Sequence, residues 1–117
     1  RGKRLVTATG PGGAEGIFRV ASLSKFTGLA CAEAIHRGEI SLEDPAQNYV
    51  PRQLPTWDGE PIRRCYLATH SSGLVDGLRV GDDDSVDEFL AAVAGLRLAA
   101  PPSRTRAYSN LGVGLLA

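Results

Sequence analysis

Methionine is absent from this 117-residue chain, lysine and cysteine each occur twice, and aromatic residues make up 6%. The formal net charge is zero. A nucleic-acid-binding domain carries a basic excess, so the charge balance argues against that class of partner. No apolar run approaches the roughly 20 residues of a membrane-spanning helix. The spacing of Cys31 and Cys65 fits no metal motif, and two cysteines are too few for a disulfide framework. They read as small buried apolar residues, with a single disulfide as the other possibility. The first residue is Arg1, and the last seven, LGVGLLA, form an apolar run without a cap. A helix cut there keeps unsatisfied carbonyls and a bare apolar face, so the expectation is a larger domain truncated at both ends. Apolar residues reach 43% and charged ones 22%, enough for a packed core of ordinary composition.

Along the chain, residues 4–9 (RLVTAT) and 17–21 (IFRVA) suit two short strands joined through Pro11, Gly12 and Gly13, a short hairpin. Residues 22–37 (SLSKFTGLACAEAIHR) predict a helix stopped by Gly38. It is apolar on most sides, which places it near the middle of the core. A short helical turn is expected within 42–50, closed by Pro51, then a loop over 51–59. Pro61 suits the first position of a helix running to about His70, with Ser71, Ser72 and Gly73 ending it. Residues 76–84 read as a polar loop. Ser85 and Glu88 have the spacing of a capping box, opening a helix to about Leu98. Pro101 and Pro102 break the chain, residues 104–109 are extended, and Asn110 caps a last helix.

Ser22-Leu23-Ser24-Lys25 falls where a strand gives way to a helix. Residues three apart share a helix face, so Ser22 and Lys25 can touch. A serine hydroxyl is a weak nucleophile and needs an adjacent base. Lysine can serve as one when burial or a neighbouring cation lowers its pKa. The first turn of a helix also aims N–H groups at a developing oxyanion. A chance S-x-x-K in a chain with eight serines and two lysines has odds on the order of one in seven, so the spacing alone is weak. Its apolar flanks, and a composition of eleven arginines against two lysines, make the lysine chemically meaningful here. A second group, Tyr108-Ser109-Asn110, offers a phenol that can relay a proton and an amide that can hold a substrate carbonyl or the lysine.

Taken in order, FRVASLSK, GEISLEDPAQNYVP, THSSGL and PPSRTRAYSNLGVGLLA resemble the serine β-lactamase and penicillin-binding-protein family. The likeness is to its class C β-lactamase, esterase, D-aminopeptidase and DD-peptidase branch. That resemblance implies an α/β fold of the β-lactamase/transpeptidase type. This chain would supply mostly the helical part and a short N-terminal hairpin, with the central sheet incomplete. It implies a serine hydrolase acting through an acyl-enzyme on an amide or ester, with a small-molecule or peptide substrate and no cofactor or metal. Ser22 would be the nucleophile, Lys25 and Tyr108 its catalytic partners, and Asn110 the substrate-binding amide. The family's third motif, K-T-G or H-x-G, lies downstream of Y-x-N, and only seven residues follow Asn110 here. His36-Arg37-Gly38 matches by letters only and reads as a helix stop. A second reading is therefore a truncated, non-catalytic remnant or binding module.

His70 beside Ser71 and Ser72 invites a triad, but a helix-end histidine bonding nearby backbone is the plainer reading. Asp82, Asp83 and Asp84 suit a solvated loop better than a metal site. Trp57 suits a cleft wall or a core cover equally.

Overall fold

The computed structural model describes residues 26–77 and 85–116. The expected hairpin, Ser22, Lys25 and the acidic run at 82–84 lie outside the described residues.

Helix α1 spans Phe26–His36. Gly38 ends it with φ of +72°, a left-handed conformation that costs glycine nothing. The Gly38 N–H reaches the Ile35 carbonyl at 2.9 Å and the Glu39 N–H reaches Ala34 at 3.0 Å. This paired C-terminal closure explains His36-Arg37-Gly38 as a helix stop. The expectation that this helix sits in the middle of the core is not met. Cys31 is its only buried residue among those described, and Phe26 and Leu29 are each 64% exposed. Its apolar residues are spread around the whole circumference, and only one side meets α4.

Past α1 the chain makes a short 3₁₀ helix, Ala46–Tyr49, where a helical turn was expected. Asp44 anchors its approach, accepting the Ser41 N–H and the Tyr49 hydroxyl. The predicted helix from Pro61 is shorter than expected. Helix α2 covers only Arg64–Ala68. The preceding residues are extended because they pair with the 3₁₀ entry: Pro45 and Arg63 form an isolated antiparallel bridge, and the Ala46 N–H donates to the Ile62 carbonyl at 2.8 Å. A proline at position 61 has no N–H to lose in such a segment and is tolerated there.

Helix α3 spans Val86–Ala94 and has the expected capping box. The Ser85 hydroxyl accepts the Glu88 N–H at 3.3 Å, and Glu88 accepts the Ser85 N–H at 2.8 Å. It stops at Gly95 rather than near Leu98. Glycine is a poor helix former, and leaving the helix lets Leu98 enter the core while the next residue bonds to Gly73. Helix α4, Asn110–Leu116, packs against α2 and touches α1.

The core joins these pieces through Ala46, Leu54, Ile62, Leu67, Leu74, Val93 and Leu98, with Trp57 and Phe89 against it. Each fully buried leucine or isoleucine contributes about 1.5–3 kcal/mol of transfer free energy. Trp57 thus covers core, and it also walls a shallow cleft with Pro55 and Arg97. Cys31 is buried, Cys65 is half-buried, and both are free thiols. No strand occurs among the described residues, only the bridges Pro45–Arg63 and Trp57–Glu60.

Candidate active site

Two of the four predicted site residues, Tyr108 and Asn110, stand at the N-terminus of α4. The other two, Ser22 and Lys25, lie outside the described residues. The described part of α1 begins at the residue after Lys25, and α1 touches α4.

A helix start leaves about four N–H groups without intrahelical partners. At α4 three of these have acceptors, and two of the acceptors come from one loop. The Ser109 N–H donates to Nδ1 of His70 at 3.3 Å. The Asn110 N–H donates to Oδ1 of Asp76 at 2.6 Å. The Gly112 N–H donates to the Ser109 hydroxyl at 3.1 Å. The capping side chain is therefore Ser109, fully buried, and not Asn110 as expected from the sequence. The helix starts one residue earlier than an Asn110 cap requires, because the short buried serine hydroxyl closes the first turn. That leaves the Asn110 side chain exposed and available to other partners.

The loop that supplies His70 and Asp76 is held by backbone pairing to the approach to α4. The Ala107 N–H donates to the His70 carbonyl, the Ser103 N–H to Ser71 and the Ala99 N–H to Gly73, each at 2.9 Å. Gly73 is required at its position. Its φ is +81°, and a Cβ there would collide with the Ala100 carbonyl oxygen. His70 also adopts a left-handed φ, +58°, at a cost of about 1–2 kcal/mol for an L-residue. The surrounding bonds hold it there.

His70 makes no triad with Ser71 or Ser72. Its Nδ1 is occupied by the Ser109 N–H, and its ring lies against Tyr108 with centroids 4.6 Å apart. The expectation of a histidine bonded to backbone is right in kind, but the backbone is 39 residues away rather than local. Tyr108 is 54% exposed, and its ring lies tilted against the imidazole. His70 and Asp76 are the site residues that sequence reasoning missed. THSSGL drew attention to His70 through the resemblance, without a role for it, and Asp76 lies two residues beyond that segment.

Chemically, the capped start of α4 brings a phenol that lies against an anchored imidazole and a carboxamide bonded to a carboxylate. Among the described residues no group of three histidine, cysteine or acidic side chains is placed to hold a metal. No described helix is long and apolar enough to cross a membrane.

Comparison with known proteins places the chain. A sequence model of the Beta-lactamase family matches residues 1–117. A β-lactamase of Escherichia coli K12 is 36% identical over 102 residues, covering 85% of this chain and 26% of that protein. The D-alanyl-D-alanine-carboxypeptidase/endopeptidase AmpH of the same organism is 31% identical over 113 residues, covering 88% of this chain and 29% of that protein. Among solved structures, a β-lactamase/D-alanine carboxypeptidase from Yersinia pestis superposes with a TM-score of 0.71 at 28% identity, over 84% of this chain and 31% of that one. A class C β-lactamase in complex with cefoxitin superposes with a TM-score of 0.68 at 31% identity, over 85% of this chain and 28% of that one. The chain spans a little over a quarter of the length of these curated relatives. It is similar to proteins of the β-lactamase/transpeptidase fold, and it belongs to the β-lactamase family.

Proposed function

We propose that the protein is a serine hydrolase that cleaves an amide or ester through an acyl-enzyme on Ser22. The observation that carries this reading is the capped start of α4, which carries Tyr108 and Asn110, in a chain of the β-lactamase family whose sequence also holds the S-x-x-K spacing at Ser22 and Lys25.

In the proposed reaction the Ser22 Oγ attacks the substrate carbonyl carbon. Its proton passes to the base formed by Lys25 and Tyr108. The carbonyl electrons move onto oxygen, where the Ser22 backbone N–H stabilises the charge. As the carbonyl reforms, the bond to the leaving nitrogen or oxygen breaks, and Tyr108 returns the proton to it. Water then repeats the attack on the acyl-serine, giving the free acid and restoring Ser22. Asn110 holds the substrate amide beside this centre. Three observations support the assignment to Tyr108. The residue is more than half exposed, its ring is braced by His70, and the next residue is buried and caps α4.

The substrate class follows the relatives: a β-lactam, a D-amino-acid peptide or a small ester. The test is covalent labelling of the full-length protein by a fluorescent penicillin and by a fluorophosphonate. Labelling is expected in the native protein and absent in Ser22→Ala. Undiminished labelling of that variant would remove Ser22 from the role.

A further inference from the structure

We propose that Asp76 is a positioning residue that fixes the side chain of Asn110 in the substrate-binding site. The inference rests on the hydrolase reading above and adds to it a residue outside the S-x-x-K and Y-x-N motifs.

Asp76 grips Asn110 twice. One carboxylate oxygen, Oδ1, accepts the Asn110 backbone N–H at 2.6 Å, and the other, Oδ2, accepts the Asn110 Nδ2–H at 2.6 Å. The first bond places the residue and the second sets its side-chain torsions. Both are short hydrogen bonds. The chemistry also fixes which way the amide faces. An ionised carboxylate only accepts, so it selects the NH₂ end of Asn110, and the flipped amide would set oxygen against oxygen. Asn110 is left with its Oδ1 and one N–H turned away from Asp76. Those two groups are what it can offer a substrate amide or the lysine ammonium.

Asp76 follows the loop that Gly73 and the Ala99 and Ser103 bonds pin to the core, so its grip has a rigid base. A carboxamide held at both its backbone and its side chain presents one geometry rather than several. Ordering of that kind acts on the rate of the positioned reaction, because small misplacements of a positioning group cost rate. A carboxylate that only capped α4 would bond the backbone N–H and leave the side chain alone.

The test is a double-mutant cycle on the full-length protein, with Asp76→Ala, Asn110→Ala and the pair, following acylation by a fluorescent penicillin. Asp76→Asn serves as a second variant of the same shape that cannot accept both bonds. Asp76→Ala is expected to slow acylation about ten- to a hundredfold. In the Asn110→Ala background the same change is expected to alter the rate by less than about twofold. The Asn110 side-chain amide resonances supply a readout that does not depend on activity. One Nδ2 proton is expected downfield in the native protein and shifted upfield in both Asp76 variants. Equal slowing in both backgrounds, or amide resonances unmoved by loss of the carboxylate, would overturn the proposal. If no probe labels Ser22 at all, the hydrolase reading fails, while the amide resonances still decide whether Asp76 holds Asn110.

Discussion

Replacing Gly73 by alanine tests whether the loop before Asp76 is held as rigidly as the site requires, and Gly38→Ala is its control. Both glycines have left-handed φ, +81° and +72°. They differ in surroundings: nothing lies within 4 Å of a Cβ at Gly38, whereas at Gly73 the Cβ would meet the Ala100 backbone and Leu98. The Gly38 change therefore carries only the conformational cost, partly offset in the unfolded chain, of about 1 kcal/mol. The Gly73 change adds overpacking against backbone and loss of the Ala99–Gly73 hydrogen bond, for a total of about 3 kcal/mol. Denaturant unfolding of the full-length variants measures both. Gly73→Ala should also slow acylation of Ser22, since residues 99–107 lead directly into Tyr108, and Gly38→Ala should not. Equal losses of stability in the two variants would refute the reasoning, because the shared φ would then account for everything.

Tyr108→Phe should keep the fold and the contact with His70 yet lower acylation by about 10²-fold or more, the usual scale for a lost proton relay, measured by stopped-flow with a chromogenic substrate. An unchanged rate would remove the phenol from the proton path. Burial, and then the negative charge of Glu43, pushes the Cys65 thiol above its ordinary value of 9.0. Iodoacetamide at pH 7.5 should accordingly modify native Cys65 more slowly than the unfolded protein, as read by mass spectrometry. At the start of α3, the Ser85 N–H and hydroxyl hold the Glu88 carboxyl below 4.5. A lowered native pKa stabilises fully above the unfolded value, and that stability is lost as pH falls through the native one. The stability gap between native protein and Glu88→Gln should be fully present well above pH 4.5 and close as the pH falls below it; a gap that widens on acidification would contradict this.

Local chemistry made much of this legible beforehand. The Ser85–Glu88 capping box and the Gly38 stop are short-range patterns, and both occur where the residues indicated. Less legible were features set by distant pairing. Pro61 suggested a helix start, but bonding to residues 44–46 keeps its segment extended until Arg64. The apolar stretch of α1 suggested burial, yet a helix apolar all round gives no direction to its packing. At the site, Tyr108 and Asn110 could be chosen from the motif, whereas His70 and Asp76 act across 39 and 34 residues of sequence. An isolated histidine or aspartate in a loop has no local signal for such a role. The one-residue shift of the α4 cap from Asn110 to Ser109 has the same origin. Either side chain can cap a helix, and burial of Ser109 decides between them.

The central claim is that Ser22 becomes acylated. Incubating the full-length protein with a β-lactam or an activated ester, quenching in acid and mapping the peptides by mass spectrometry tests it directly. A single acyl adduct is expected on the peptide containing Ser22, formed in the native protein and lost in Lys25→Ala or Ser22→Ala. An adduct on another residue, or substrate turnover that persists in Ser22→Ala, would contradict it.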